Sequence, residues 1–252
     1  MIWKKNVFLL QKFLYTFSNL YFCHIEFSEP KKMKIQLTIS DIIKQICPTF
    51  TAGLICAKVN NSPYDEFLWE EIKKEIIHTQ QKYPLESISK RDTILATRKA
   101  YKALGKDPNR YRPSAEALCR RLTKGLGLYK ISTLVDLINL VSIRTGYSIG
   151  GFDADKINGN LILGVGQEGE LFHAIGRGIL NIEGLPVYRD MTGPIGTPTS
   201  DEERTKLTFD TTKVLIIING YSGKDGIKEA AEFTVNLLNK YARAYDVETE
   251  YV

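Results

Sequence analysis

The sequence predicts a mixed α/β fold of the α+β kind, in which helices come first, strands follow, and a final helix covers the sheet, in one large domain or two small ones. Three observations predict it. Helix-like segments succeed one another from Ser40 to Gly146, short apolar runs bounded by Gly or Pro dominate from Asn160 onward, and a last helical stretch follows near residues 226–245. The chain has 252 residues, 43% of them hydrophobic and 25% charged, which is enough apolar surface for a real core and excludes disorder as the explanation.

The first 32 residues differ from the rest: they hold eight of the 26 aromatics, no Gly, and five Lys against Glu26 and Glu29. The run VFLL is broken at once by Gln11 and Lys12, and Asn19 and Glu26 spoil a membrane span, so neither a signal peptide nor a transmembrane helix is expected. Residues 1–32 are read as an extra N-terminal segment outside the fold, an over-long translation start with Met33 as the natural beginning, with an amphipathic surface helix as the competing reading, and residues 33–252 as the domain.

Within the domain a short helix near Ser40 to Ile46 leads through Pro48 to TAGLICAKV, a buried strand. A long polar helix follows over about residues 64–83, and another over 90–104 that Gly105 ends. Ser114 is expected to cap the next helix, with Glu116 in its first turn, Arg120, Arg121 and Lys124 in its last turns, and Gly125 just past its end. Ser132 is expected to cap, and Gly146 to end, a helix with almost no wet face. A buried helix does not carry Asp136 and Asn139 without partners, because an unpaired buried carboxylate is costly; both enter the candidate pocket, with structural clamping of backbone as the competing reading. NLILGV, ELFHAI, LPVYRD, KLTF and TKVLIIING then read as strands.

Chemistry is concentrated in a few places. From Arg98 to Lys130 ten Lys or Arg face two acids, a local balance of +8 in a chain of only +5, with Tyr101, Tyr111 and Tyr129 interleaved. That pattern suits phosphate neutralisation and stacking on unpaired bases, and Arg110, Arg112, Arg120, Arg121 and Lys124 are the candidate RNA contacts. The four cysteines show no CxxC pair and the three histidines are scattered, so no metal site is expected, and a reducing cytoplasm is the expected location. GVGQEG satisfies GxGxxG, but ELFHAIGRG behind it alternates like a hairpin strand and offers no helix N-terminus, so no nucleotide cofactor is expected. His173, in the same segment, is read as a structural strand residue. The segment MTGPIGTPTSDEERT is rich in Gly, Pro and hydroxyls, and a ligand could approach its backbone amides.

RPSAEALCRR, LVDLINLVS, IGGFDADKI, the Gly169-Glu170 pair, VYRD, and GTPTSDEERT before TFDTTKVLI occur in an order that resembles the tRNA-editing domain of the phenylalanyl-tRNA synthetase beta subunit, the paired third and fourth B domains, in a free-standing form. The resemblance covers most of residues 33–252. It implies a single mixed α/β unit that hydrolyses mischarged aminoacyl-tRNA in trans, gripping the aminoacylated acceptor end, with no cofactor, no metal and no membrane. The ester is already activated, so a site that orients water and places amides around the developing oxyanion can supply much of the acceleration. On this reading Asp153, Glu170, Asp190, Thr199, Ser200 and Asp201 are candidates for catalysis, and Asp136, Asn139, Gly150, Gly151, Pro194, Gly196, Arg204 and Ile217 for the pocket, with the donors expected at Gly150, Gly151 and residues 194–201. The chain departs from the resemblance at two positions: Gly150 stands where synthetase-linked bacterial members carry His, and Ile217 where they carry a Glu that resembles a determinant for the tyrosine hydroxyl. A smaller or more apolar amino acid, or none, is then the expected substrate. The chain is too short to hold a ligase catalytic core. A catalytically silent tRNA-binding module and a small-molecule enzyme on the same fold stay open as alternatives.

Overall fold

A computed structural model describes residues 35–252; the reading of residues 1–32 as an extra segment lies outside the described residues. In chain order the elements are β1 (Leu37–Ile39), α1 (Asp41–Ile46), β2 (Thr51–Lys58), α2 (Glu66–Lys82), α3 (Asp92–Ala103), α4 (Ser114–Thr123), α5 (Thr133–Thr145), β3 (Ile149–Asp153), β4 (Leu161–Val165), β5 (His173–Ala174), β6 (Gly178–Ile179), β7 (Pro186–Arg189), β8 (Pro194–Gly196), β9 (Lys213–Gly220), α6 (Ile227–Ala242) and β10 (Tyr245–Tyr251). The class is the mixed α+β expected, but eight of the ten strands divide between two four-stranded sheets, and β5 and β6 form a two-stranded sheet of their own. One four-stranded sheet has the order β10-β2-β9-β3 and is antiparallel throughout. The other has the order β1-β4-β7-β8 and is mixed, since β1 runs parallel to β4 while its remaining pairs are antiparallel.

Strand β9 explains the layering. Its run KVLIIING is buried at every position from Val214 to Gly220, which marks a strand covered on both faces. Alternate residues go to opposite cores. Val214, Ile216 and Ile218 pack with Leu137, Val141, Ala231 and Leu238 under the helices, whereas Leu215 and Ile217 join Leu163, Tyr188 and Phe152 between the two sheets. The antiparallel sheet is therefore the middle of three layers, with helices on one face and the mixed sheet on the other.

Local chemistry places most boundaries where the sequence puts them. The Ser132 hydroxyl accepts from the Val135 amide, and Gly146 closes α5 in the left-handed conformation at φ +78°. Ser114 departs from expectation: it is the first residue of α4 and not its cap. Its backbone N–H donates to the Pro198 carbonyl at 2.8 Å, so a carbonyl from a distant loop satisfies a first-turn amide in place of a capping side chain. KLTF is not a strand; only Lys206 bridges to Phe152 before Thr208 and Thr211 fold the chain into a turn. ELFHAI supplies only the two residues of β5, and the last helix stops at Ala242, ahead of edge strand β10.

The GxGxxG segment leads into no helix, as expected, and one of its glycines has a plain packing role. A Cβ at Gly166 would fall 1.9 Å from the Ile182 carbonyl oxygen, so the backbone itself would have to move. Gly166→Ala is expected to lower stability by about 1–3 kcal/mol, read by urea denaturation, because overpacking against backbone cannot relax through a side chain. Gly169→Ala at φ +71°, with nothing within 4 Å of its Cβ, meets only the backbone strain. Equal losses for the two variants would contradict the packing role.

Candidate functional site

A cavity of about 460 Å³ opens where α5, α4, β3 and the segment 201–207 meet. Helix α5 faces it with Val135, Ile138, Asn139 and Ser142, residues spaced so that one helical face presents them all. Leu118, Ile149 and Leu207 complete an apolar wall. Gly151 keeps the cavity open, because a Cβ there would lie 2.5 Å from Ile138 Cδ1.

Asp201 is the group at this cavity with the most useful chemistry. Strand β3 lies at the edge of its sheet, which leaves the outward amide of Gly151 free of the ladder, and that N–H donates to Asp201 Oδ2 at 3.1 Å. Burial pushes the Asp201 carboxyl up to about 7, against the opposing pull of the Gly151 hydrogen bond. The carboxyl is thus close to half ionised at neutral pH, the range a general base needs. The segment before it is held by its own threonines. Thr197 Oγ1 accepts from the amides of Thr199 and Ser200, both at 3.1 Å, and the buried pair of Tyr101 hydroxyl and Thr199 Oγ1 at 2.9 Å ties the loop to α3.

Gly150 and Gly196 flank Asp201 without lining the cavity. A Cβ on either would meet the Phe152 ring, at 2.6 Å from Gly150 and 2.7 Å from Gly196, and would approach Asp201 Oδ1 at 3.4 and 3.0 Å. The ring fills the notch between the two strands where side chains would otherwise stand. Ile217, directly opposite Gly150 in the β3–β9 register, is fully buried between the sheets and does not reach the cavity, a correction to its expected place in the pocket.

Several other expected site residues hold the backbone together. Asp136 accepts from Trp69 Nε1 at 2.7 Å and from the Ile131 amide at 3.1 Å; burial raises its carboxyl despite both bonds. It faces α2 while Asn139 faces the cavity, so the two do not act together, and the clamping role is the one observed for Asp136. Asp153 accepts from the Thr211 hydroxyl at 2.9 Å and from the Asp155 amide at 3.2 Å. Glu170 is paired with Arg189, its Oε1 2.6 Å from Nε; burial raises its carboxyl, but the guanidinium and the Gln167 amide hold it below its usual value. Asp190 is paired bidentately with Arg204 at 2.9 and 3.0 Å, and against burial that pair and three backbone amides keep it low. Asp153, Glu170, Asp190 and Arg204 do not line the cavity, nor does Pro194. His173 is exposed on its two-residue strand, not the satisfied strand residue expected.

Four of the expected oxyanion donors are also taken. The amide of Gly151 serves Asp201, that of Thr197 serves the Ser200 carbonyl, and those of Thr199 and Ser200 serve Thr197. The side-chain donors among the lining residues are Ser114, Asn139, Ser142 and Lys206; the Ser142 hydroxyl donates to the Tyr147 carbonyl and the Lys206 ammonium is paired with Glu203, and Lys206 was missed in the sequence because it fell in a presumed strand.

Glu116 reorganises the basic patch. It is essentially fully buried, and Arg98 and Arg120 reach it at 2.8 Å and Arg112 at 3.6 Å. Arg120 is thereby clamped while Arg112 stays partly exposed, Arg121 donates to the Gly127 carbonyl at 2.7 Å and stacks on Tyr129, and Arg110 is exposed in the turn before α4 and Lys124 at the end of that helix. The two ends of that helix are roughly 15 Å apart at 1.5 Å per residue. Among the described residues no group of three or more His, Cys, Asp or Glu could hold a metal ion, and no helix is long and apolar enough to cross a membrane.

Comparison with known proteins places these features in context. A family model described as the B3/4 domain matches residues 96–249. The phenylalanine–tRNA ligase beta subunit of Bartonella henselae is 42% identical over 57 residues, 23% of this chain and 7% of that protein. The subunit of the same name from Brucella abortus strain 2308 is 35% identical over 83 residues, 32% of this chain and 10% of that protein. The chain therefore spans a tenth or less of the curated relatives it matches. A crystal structure of an N-terminal fragment of the phenylalanyl-tRNA synthetase beta subunit from Pyrococcus horikoshii aligns with 87% of this chain and 52% of its own, at 18% identity and a TM-score of 0.47.

Proposed function

The chain belongs to the B3/4 domain family, and on that premise we propose that it is an aminoacyl-tRNA deacylase acting in trans, hydrolysing the ester of a mischarged tRNA at the cavity beside Asp201. The observation that carries this reading is the Asp201 carboxyl, raised to about 7 and set in the lining of a largely apolar cavity. In the proposed reaction the aminoacyl side chain enters between Val135, Ile138 and Leu207, and the ester carbonyl lies toward Asn139 and Lys206. Ionised Asp201 takes a proton from water as the water oxygen bonds to the carbonyl carbon; the developing oxyanion is met by the Asn139 amide and the Lys206 ammonium. Collapse of the tetrahedral intermediate breaks the bond to the ribose oxygen, which takes the proton back from Asp201, leaving a free amino acid and an uncharged tRNA.

With Ile217 in the core and an apolar wall in the cavity, the favoured substrate side chain is apolar. Arg110, Arg121 and Lys124, with the net charge of +2 left by three arginines on Glu116, are proposed to meet the acceptor-end phosphates. Ligation of amino acid to tRNA is not part of the proposal, since the chain covers so little of the ligase subunits it resembles.

The test is loss of labelled amino acid from a panel of correctly and wrongly charged tRNAs. The full chain is expected to accelerate deacylation of one mischarged species, and Val135→Phe, which fills the cavity from α5, to abolish that acceleration while circular dichroism stays unchanged. Rates equal to spontaneous hydrolysis across the panel would remove the enzymatic reading. If uncharged tRNA nevertheless bound, with an affinity falling steeply with salt, a silent tRNA-binding module would stand in its place.

A further inference from the structure

The cavity beside Asp201 has a neighbour. A smaller hollow of about 270 Å³, lined by Ile131, Ser132, Leu207, Thr208 and Phe209, shares Ile131 and Leu207 with it. Whatever fills one of the two therefore abuts the occupant of the other, and a single ligand can extend into both. Part of the smaller hollow is an aromatic ring that folding leaves in water. Phe209 is 58% exposed, yet the turn that carries it is fastened: Asn61 Nδ2 donates to the Thr208 carbonyl at 2.8 Å, and Thr211 Oγ1 accepts from the Thr208 amide at 2.9 Å while giving its own proton to buried Asp153. The ring is thus held out on a firm support.

A single exposed apolar residue is ordinary, but this one has company. Ile131, on the same hollow, is half exposed, and Tyr129, two residues before it in the coil between α4 and α5, is 66% exposed. Cations are interleaved with these rings. The Arg121 guanidinium lies over Tyr129 at 4.1 Å, and Lys130, between Tyr129 and Ile131, lies over Tyr64 at 4.3 Å. Residues 117–135 hold four Lys or Arg and no acid, so this side of the hollow is cationic, whereas Asp210, exposed beside Phe209, puts the opposite sign on the other side. Exposed ring faces beside cations suit an unpaired nucleic-acid strand, whose bases stack on the rings and whose phosphates meet the charges.

We propose that the smaller hollow seats the terminal nucleobase of the RNA: the base stacks on Phe209 against Ile131, its strand leaves past Lys130 and Arg121, away from Asp210, and the aminoacyl group on the same nucleoside drops into the adjoining cavity. The placement of the aminoacyl group rests on the deacylase reading; the stacking seat itself requires only an RNA with an unpaired 3′ end. Stacking is tolerant of base identity, so what is recognised here is an unpaired end and not a sequence.

The probe is an uncharged single-stranded RNA tetranucleotide with a 5′ fluorophore, titrated with the full chain at low salt and read by fluorescence anisotropy. Saturable binding is expected. Phe209→Ala should weaken it about tenfold or more, the worth of one base stack, and Phe209→Trp should restore it. A probe whose 3′-terminal nucleoside lacks its base should bind the parent as weakly as the intact probe binds Phe209→Ala, and combining the two changes should cost nothing further, since both remove the same contact. On a mischarged tRNA Phe209→Ala should raise KM by a similar factor with a smaller effect on kcat. Val135→Phe, in the adjoining cavity, should leave tetranucleotide binding intact. Binding that depends on Phe209 and on the terminal base, with no deacylation of any charged tRNA, would keep the seat and remove the hydrolytic reading. Deacylation accompanied by tetranucleotide binding indifferent to both would overturn the seat alone, as would failure of the intact probe to saturate.

Discussion

Glu116→Ala is expected to lower the unfolding midpoint by roughly 10 °C, the largest stability effect of any single substitution in α4. Removing one partner of a buried ion pair typically costs about 3–5 kcal/mol, because the remaining charge is stranded, and a chain of this size loses about 2–4 °C per kcal/mol. Here two guanidiniums, those of Arg98 and Arg120, would be stranded together, with the 41%-exposed Arg112 adding its charge beside them. Arg98 is only 14% exposed and Arg120 only 26%, so water cannot replace the carboxylate for them, and their charges would repel one another at close range. Glu116→Gln keeps the shape and one acceptor, and should fall between the parent and Glu116→Ala. The measurement is a thermal melt of all three proteins at one ionic strength. A midpoint for Glu116→Ala within a degree or two of the parent would mean that the arginines find other partners and that the cluster contributes no stability.

Asp201→Asn is expected to abolish hydrolysis and at the same time to stabilise the protein above neutrality. The folded carboxyl keeps its proton up to about 7, whereas in the unfolded chain it would release it near the ordinary value of 3.8. Between those limits the folded state binds the extra proton, so the contribution of this group to parental stability is fully present below pH 4, declines as pH rises through the window, and is flat above about pH 7. Asn has no charge to bury and can still accept from the Gly151 amide. Thermal midpoints of the two proteins should therefore converge at pH 4 and separate by pH 8, with the Asn variant higher. Deacylation by the parent should rise with pH to a plateau above about 7, and loss of a general base should cost about 10²–10⁴-fold in rate. A parental rate independent of pH between 5 and 9, or an Asn variant that keeps its activity, would take Asp201 out of the chemistry.

What was legible in the sequence followed from local rules. Ser132 and Gly146 bracket α5 because capping chemistry is decided within a few residues, and residues 214–218, VLIII, declare a strand buried on both faces because no polar residue interrupts them. Strand β10 was missed because an exposed edge strand such as YDVETEY carries charge where a core strand would not, and so reads as the fraying end of a helix. At the site, Asp201 and Asn139 were legible as polar residues in suggestive surroundings. The ionic lock of Glu116 was not, since Arg98 lies eighteen residues away on another helix and only tertiary packing joins them. The same holds for Asp190 and Arg204, expected in catalysis and in the pocket respectively, which instead pair with each other and with backbone amides to fix the loop.

The Phe152 ring lodged between Gly150 and Gly196 constrains how this chain can change over generations. No side chain can be added at either glycine while the ring is present, and shrinking the ring first would leave a void in a closed core, a step that commonly costs a large aromatic about 3–5 kcal/mol. Every single-step path that alters this corner passes through a misfit ancestor, either overcrowded or hollow. The three positions are therefore expected to be inherited as a block, and a change at one should be found only in company with a change at another.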